Sequence, residues 1–161
     1  MAVDMFLKIN GVDGESKDSK HKKDIDVLAW SWGVSNSGSA QTGGGAGAGK
    51  VNVQDVSFTK WVDSASPKLM LACCNGTHYS EATLTVRKAG GDNPVEYIKL
   101  KLEEVLISSV STGGSGGEDR LTENVTLNFA KFNLDYTPQD DKGAPGTVIP
   151  AGWDVAANQK L

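Results

Sequence analysis

An alternation of apolar and polar residues with a period of two is the feature that most limits what this chain can fold into. Leu84 and Val86 alternate with Thr83, Thr85 and Arg87. The same pattern recurs in residues 3–9, 25–34, 51–61 and 121–136. A period of two places successive side chains on opposite faces of a β-strand, whereas a helix repeats every 3.6 residues or so. The chain is therefore predicted to be mainly β.

Two of these segments change phase partway along. The apolar positions are odd at Val53 and even from Val56, and they change parity again between Phe129 and Phe132. A β-bulge inserts one residue into a strand, which produces such a change and bends the strand. Long strands with bulges favour a sheet that curls on itself. We therefore predict a compact, closed or nearly closed β-barrel with extended loops.

Residues 94–109 fit both periods. Their β-branched residues Val95, Ile98, Val105 and Ile107 favour a strand. One short α-helix is predicted instead over about residues 67–75. It has a capping residue in Ser66, a proline suited to the first helical turn, and a glycine after its end.

Length, net charge and cysteine content limit the class of protein to which the chain can belong. A chain of 161 residues is typical of one domain, so we predict a single domain over residues 1–161. Its net charge of -4 argues against nucleic acid as a partner. The adjacent Cys73 and Cys74 do not resemble a disulfide framework, and we expect two reduced thiols.

The sequence also contains no stretch that predicts insertion into a membrane. Residues 1–6 have neither a basic region nor a long apolar run. We therefore expect a protein that starts in the cytoplasm and leaves the cell, if it does, without a cleaved signal peptide.

Residues 44–50 match the spacing of a phosphate-binding loop, which is the most tempting sign of an enzyme. Such a loop needs Ser or Thr after its lysine and then a helix that faces the phosphates. Here Lys50 is followed by Val51 and by a strand pattern. A flexible hairpin connection explains the glycines better, although a nucleotide-binding enzyme stays as an alternative that Lys50→Ala would test.

Other candidate sites are weak. Cys74 and His78 are the closest pair of a thiol and an imidazole, but their spacing matches no nucleophile–base or zinc pattern. We therefore predict no catalytic residue, no metal and no cofactor. Trp30 and Trp32 share a face of one strand, where they either build an interior or stack on sugars. A monomeric secreted module that binds carbohydrate is therefore a second alternative.

Four stretches of the sequence resemble one family of proteins. They are residues 25–33 (IDVLAWSWG), 51–60 (VNVQDVSFTK), 66–69 (SPKL) and 110–125 (VSTGGSGGEDRLTENV). Together they are similar to the strands, the single helix and a long glycine-rich loop of Hcp, the tube protein of type VI secretion. The resemblance covers nearly the whole chain to Tyr136, and the tail after Pro138 matches poorly.

The resemblance implies a structural protein rather than an enzyme. It implies a homohexameric ring with a central channel and rings that stack into a tube. It also implies spike and sheath proteins as partners, small effector proteins held in the channel, and export into a target cell. The assembly would be similar to the tail tube of a phage.

Two sets of residues are then candidate sites. The small face of the second strand predicts that Ala29, Ser31 and Gly33 line the channel and contact effectors, with Trp30 and Trp32 packed inward. The long loop at residues 111–120 is predicted to contact an adjacent ring or subunit. Its candidate contact residues are Ser111, Gly113, Gly114, Gly116, Gly117, Glu118, Asp119 and Arg120.

Overall fold

The structure, a computed structural model, describes residues 3–38, 49–88 and 92–161. In chain order its elements are β1 (Val3–Ile9), β2 (Ile25–Ser31), β3 (Val34–Asn36), β4 (Val51–Val53), β5 (Val56–Trp61), α1 (Ser66–Asn75), β6 (His78–Lys88), β7 (Glu96–Thr112), β8 (Thr122–Asn128), β9 (Lys131–Tyr136), β10 (Ile149–Asp154) and β11 (Gln159–Lys160). The predicted mainly β fold is confirmed. Among the described elements, no helix has the length and hydropathy that a membrane span requires.

Six antiparallel strands close into a barrel. They follow the order β7-β6-β1-β2-β5-β8, and β8 pairs in turn with β7. Closure depends on β7, a strand of 17 residues that changes neighbours along its length. It lies beside β6 up to Leu106 and beside β8 from Leu106 to Thr112. The closed barrel that the sequence predicts is thus confirmed, and residues 96–109 are strand rather than helix.

Five of the described strands lie outside the barrel. β9, β10 and β11 extend the sheet from the first part of β7, each strand antiparallel to the one before it. β3 and β4 pair only with each other among the described residues, in a two-stranded ribbon that lies between β2 and β5 in the chain. We call this the β3–β4 ribbon.

The barrel interior is filled by aliphatic side chains from every wall. Leu7, Ile25, Leu84, Leu100 and Leu127 each expose no more than 1% of their surface. Burial of one such side chain contributes about 1.5–3 kcal/mol to folding. The period of two in the sequence results from this arrangement, because alternate residues of each strand face the same interior.

The two phase changes are strand breaks, so their interpretation as bulges was wrong. The first separates β4 from β5 at Gln54–Asp55, and the second separates β8 from β9 at Phe129–Ala130. At the first break the partner strands change: β4 pairs with β3, whereas β5 pairs with β2 and β8. At the second break β8 and β9 both pair with β7, and only the neighbour on their other side changes, from β5 to β10. An interruption between two strands shifts the parity of apolar residues just as a bulge does.

A register shift does occur in β2, where the sequence pattern is regular. Pairing with β5 skips from Val27 to Ala29, so Leu28 is the bulged residue. Ile25 and Val27 are buried, whereas Ala29 and Ser31 are exposed although they have the same parity. Simple alternation over residues 25–34 would place these four residues on one face, but the bulge turns the second half of the strand over.

The helix begins one residue earlier than its predicted cap implies. Ala65 occupies the N-cap position, and Ser66 is already helical. Asp63 accepts the backbone N–H of Ala65 at 2.9 Å, which satisfies a group that the helix itself leaves unpaired. Gly76 ends the helix as predicted, with a left-handed φ of 71° and its N–H bonded to Ala72 at 2.9 Å.

Candidate functional site

One wall of the barrel has an outer face made almost entirely of small polar side chains. The wall consists of β2, β5, β8 and the part of β7 after Leu106. We call its outer surface the polar face; it carries Ala29, Ser31, Ser57, Thr59, Ser108, Ser109, Ser111, Asn124, Thr126 and Asn128. Cross-strand register keeps these residues together, with Ser31 opposite Ser57 and Thr59 opposite Asn124.

Hydroxyl and amide groups on the polar face bond to one another across the strands. Thr59 Oγ1 donates to Asn124 Oδ1 at 2.6 Å. The hydroxyls of Ser108 and Ser109 lie 2.8 and 2.6 Å from Thr126 Oγ1. These contacts hold the side chains in place and leave further donors and acceptors for a bound molecule.

None of the ten residues of the polar face is charged, and charged groups lie beyond them: Asp55 at one end of β5 and, at the other end, Arg120 over the Trp61 ring. Asp55 lies just before β5, where its carboxylate accepts bonds from Ser108 at 2.7 Å and from Asn128 at 2.9 Å. A shallow depression of about 220 Å³ lies between β2 and β5, with Ser31, Ser57 and Asn124 in its lining. The face is thus neutral, hydrogen-bonding and nearly flat.

The predicted channel residues do not all lie on this face. Ala29 and Ser31 are exposed on it. Gly33 lies beyond the end of β2 and is half-buried, and its carbonyl accepts the backbone N–H of Gln54 at 3.0 Å. The structure instead brings Ser57, Thr59 and the β8 and β7 residues beside Ser31. Alternation in the sequence predicts which residues of β5, β7 and β8 share a face. Only the pairing of β8 with β5 shows that this face adjoins Ser31.

Trp30 and Trp32 pack inward against the barrel interior, as predicted for them. Trp32 meets the edge of Phe132 with ring centroids 4.7 Å apart and also contacts Phe129. These contacts cover aromatic surface that a sugar would need for stacking. The carbohydrate-binding alternative therefore loses the residues on which it was based.

The glycine-rich loop lies at the end of the wall where β7 leads into β8. Ser111 still belongs to β7, and every residue from Ser111 to Arg120 is exposed. The guanidinium of Arg120 lies 4.6 Å from the centre of the Trp61 ring, a cation–π contact that ties the end of the loop to β5. Glu118 and Asp119 make no ion pair within the described part of the chain.

A buried ionic cluster lies behind the polar face, at the same end as the loop. Lys60 is fully buried, and its ammonium bonds to Glu123 and, at 2.9 Å, to Asp63. The hydroxyl of Ser66 also donates to Glu123. The cluster thereby ties β5, β8 and the first turn of α1 together.

Sequence reasoning missed this cluster, although a signal for it was present. Lys60 has the parity of the interior residues Val56 and Phe58, and Glu123 has that of Val125 and Leu127. Opposite charges at interior positions of two strands predict a pair only once the strands are known to be neighbours. The β5–β8 register places Lys60 directly opposite Glu123.

The histidine of the charged β1–β2 loop packs on a ring of β1 and lies within hydrogen-bond distance of two carboxylates. His21 stacks on Phe6 at 4.4 Å, and its two ring nitrogens lie 2.9 Å from Asp24 and 2.8 Å from Glu96. Burial raises the pKa of Glu96, but hydrogen bonds from His21 and Lys99 outweigh burial and lower it. These contacts join the loop to the start of β7.

Catalytic and metal candidates find little support in the described residues. No group of three or more His, Cys, Asp or Glu is arranged to hold a metal within them. Cys73 and Cys74 are both free thiols. The phosphate-loop match at residues 44–50 lies mostly outside the described residues. Where the chain is described again, Lys50 leads into strand β4 and not into a helix.

Comparison with known proteins identifies the family. The family model described as "Type VI secretion system effector, Hcp" matches residues 6–136, which is most of the chain. The chain belongs to the Hcp family. Protein hcp1 of Pseudomonas aeruginosa, a relative, is 68% identical over 159 residues, covering 98% of each chain.

Solved structures support the same Hcp fold. A structure described as a type six secretion system protein has a TM-score of 0.93 at 36% identity, covering 99% of this chain and 100% of the other. Hcp1 from Salmonella typhimurium has a TM-score of 0.82 at 38% identity, covering 100% of both chains. The resemblance to Hcp that the sequence shows is therefore confirmed, and the chain is a type VI secretion protein.

Proposed function

We propose that this Hcp-family protein is a structural subunit of a tube. Six copies form a ring, the polar face lines its central channel, and rings stack end to end. Small effector proteins are held in the channel, and spike and sheath proteins are the other partners. The protein acts without catalysis, and it is made in the cytoplasm before export to a target cell.

Two unpaired strand edges are the observation that carries the ring. Within the part of the chain that the structure describes, β1 pairs with β2 only at Ile25 and Asp26, so residues 27–31 have a strand neighbour on the β5 side alone. Residues 107–112 of β7 likewise pair with β8 and, among the described residues, with no other strand. An edge with free backbone N–H and C=O groups is a template for another strand.

Strand directions make the two edges complementary. Each strand of the wall is antiparallel to the next, so β2 and the last part of β7 run in opposite directions. The β2 edge of one copy placed beside the β7 edge of another therefore continues the antiparallel order. Because the two edges are different surfaces, the contact is heterologous, and repeating it gives a ring when the rotation between successive copies closes. The number six is what membership of the Hcp family suggests.

The composition of the polar face suits a channel that holds different proteins. Side chains such as Ser31, Ser57 and Thr126 are short and leave the channel wide. Uncharged hydroxyl and amide groups offer donors and acceptors without the desolvation cost of buried ions. We therefore infer that effector contact is spread over the face, with Ala29 and Ser31 at its β2 side.

Solution mass and electron microscopy test this proposal directly. Light scattering of the purified protein should give the mass of six subunits, and negative-stain images of the same sample should show rings with a stain-filled hole. A monomer at every concentration tested would contradict the proposal, because the two strand edges would then have no partner.

Ser31→Gln tests whether the channel holds effectors. The longer side chain should abolish retention of small effector proteins co-expressed with the ring and leave the ring itself intact. Ser80→Gln is the matched control, since Ser80 is an exposed serine on β6, outside the wall. Native mass spectrometry reads ring and cargo together. Equal retention by both variants, or loss of the ring in Ser31→Gln, would argue against effector contact at this face.

A further inference from the structure

Among the described residues, Asp55 is the one charged side chain that bonds to the polar face. Its carboxylate accepts bonds from Ser108 at 2.7 Å and from Asn128 at 2.9 Å. It makes no ion pair with a described residue. An ionised carboxylate offers about four acceptor positions, so Asp55 can accept further bonds from another molecule. The neutral face thus has a fixed negative charge at the start of β5.

This carboxylate also sets the direction of the neighbouring hydrogen bonds. A hydroxyl has a single hydrogen, and Ser108 gives its own to Asp55. Thr126 must therefore donate to Ser108, at 2.8 Å, and Ser109 must donate to Thr126, at 2.6 Å. The amide of Asn128 turns its N–H towards Asp55, which directs its carbonyl oxygen away from the carboxylate. The donors at this end of the face are used within the network, and the groups left over are acceptors.

The far end of the polar face has the opposite arrangement. Thr59 donates to the carbonyl oxygen of Asn124 at 2.6 Å, so the amide N–H groups of Asn124 are the ones presented. The charges beyond that end are of both signs, since Glu118 and Asp119 accompany Arg120 in the exposed loop. A single sign of charge, together with an excess of acceptors, is therefore found at the Asp55 end.

An end of this kind favours groups that are positively charged and only donate. The ammonium of a lysine and the guanidinium of an arginine have this property, since neither can accept a hydrogen bond. In a ring, every subunit places its Asp55 at the same level of the channel. Like charges around one opening focus a negative potential that attracts cations and repels anions. An acidic segment would bring both further acceptors and further negative charge to this level.

We propose that Asp55 determines which effectors the channel retains, by binding lysine and arginine side chains on the effector surface. Effectors with a basic patch are then held in preference to acidic ones. This inference rests on the proposed tube function and adds a charge preference to its polar channel. Uncharged residues such as Ser31 and Ser57 make contacts that many protein surfaces can use, whereas a fixed charge discriminates between them.

Short labelled peptides test the charge preference. The probes are hexalysine, hexalysine acetylated on every side chain, and hexaglutamate, all with the same uncharged dye. Fluorescence anisotropy measures their binding to purified rings. Wild-type rings should bind hexalysine at least about tenfold more tightly than the acetylated peptide and hexaglutamate the least. The preference should decrease as salt is added, because salt screens charges.

Three variants connect the preference to Asp55. Asp55→Asn keeps the size of the side chain and an acceptor for Ser108 but removes the charge, and it should weaken hexalysine binding at least about tenfold. Asp55→Glu retains the charge and should retain most of the binding. Asp141→Asn is the matched control, since Asp141 is exposed between β9 and β10 and the net charge changes equally. It should bind within about twofold of the wild type, because a distant exposed charge is screened.

Two results would overturn the inference while leaving the proposed function in place. One is equal weakening by Asp55→Asn and Asp141→Asn, which would show a response to net charge alone. The other comes from carbodiimide, which joins a carboxylate to an amine in contact with it. Peptide mapping should find hexalysine coupled to Asp55, and coupling confined to other carboxylates would exclude the contact. Negative-stain images of the same samples keep the two proposals apart: a wild type without rings would contradict the proposed function, and this inference with it.

Discussion

The two faces of the β5–β8 pair satisfy polar side chains in different ways: the outer face gives them access to water, and the inner face gives them only a buried partner. On the outer face, Ser57 and Thr59 lie among other hydroxyls and amides and reach solvent. On the inner face, Lys60 and Glu123 are among residues such as Phe58 and are almost completely buried. Water can replace any bond on the outer face, whereas an inner charge depends on its partner. The same strands therefore combine a chemically adaptable surface with an interior that tolerates little change.

Removal of the buried cation should have the largest effect on stability. Lys60→Met keeps the aliphatic stem but leaves the carboxylates of Glu123 and Asp63 without their counter-ion. We expect a loss of about 3–5 kcal/mol in the free energy of unfolding, as for other broken buried pairs. Urea denaturation at one fixed protomer concentration measures it, because assembly adds to apparent stability.

A double variant separates the loss of the cation from the loss of packing. Lys60→Met combined with Glu123→Gln removes one of the two stranded charges and should recover part of the lost stability. If the double variant is no more stable than Lys60→Met, the cost of the single change comes from packing, and the contrast between the two faces of the wall is weaker than we infer.

A partly exposed ion pair should have a smaller, pH-dependent effect. Arg87 donates to Asp18 at 3.1 Å, and this hydrogen bond lowers the pKa of Asp18. A lowered folded-state pKa stabilises the protein above the unfolded value of about 3.9 and is lost as pH falls through the folded value. Asp18→Asn should therefore cost about 0–1 kcal/mol at pH 7, and the difference should vanish in strong acid.

Denaturation curves of the two proteins from pH 7 down to about pH 2 measure this difference, because the loss falls below the unfolded pKa of about 3.9. Asp26 has the opposite effect on the pH dependence of stability, because burial raises its pKa. Its contribution disfavours the folded state above the unfolded pKa and is relieved as pH falls below the folded one. A stability difference between wild type and Asp18→Asn that grows on acidification would contradict the assignment.

The smallest effect on folding is expected on the polar face. Ser109→Ala removes one hydroxyl that bonds to Thr126, and both positions have access to solvent. The free energy of unfolding should change by no more than about 0.5 kcal/mol. A loss above about 2 kcal/mol would show that the hydroxyl network of the face is part of the folding core rather than an adaptable surface.

Particular residues show where sequence reasoning succeeded. Leu84 and Val86 alternate without interruption, and they lie in a strand of the closed barrel. Trp30 and Trp32 were expected inside, and they are packed there. Gly76 ends the only helix among the described residues. These features depend on neighbours within a few residues in the chain, so the local pattern is sufficient to predict them.

Other residues show where it could not succeed. Ile25 and Ser31 have the same parity, yet one is buried and the other exposed, because pairing with β5 skips Leu28. The phase changes after Val53 and Phe129 coincide with breaks between strands, and at each break a neighbouring strand changes. In each case the deciding information is which strand lies alongside, and that neighbour is far away in the sequence.

By itself, the sequence determined the class of fold, the short helix, the family and the small polar character of the residues around Ser31. Only the tertiary structure decided that β7 bends from β6 to β8 and closes the barrel, that Lys60 meets Glu123, and that two strand edges have no partner strand among the described residues. The physical reason is that backbone pairing between strands is non-local. Alternation in the sequence assigns the residues of a strand to two opposite faces. Register and strand order then decide what each face contacts.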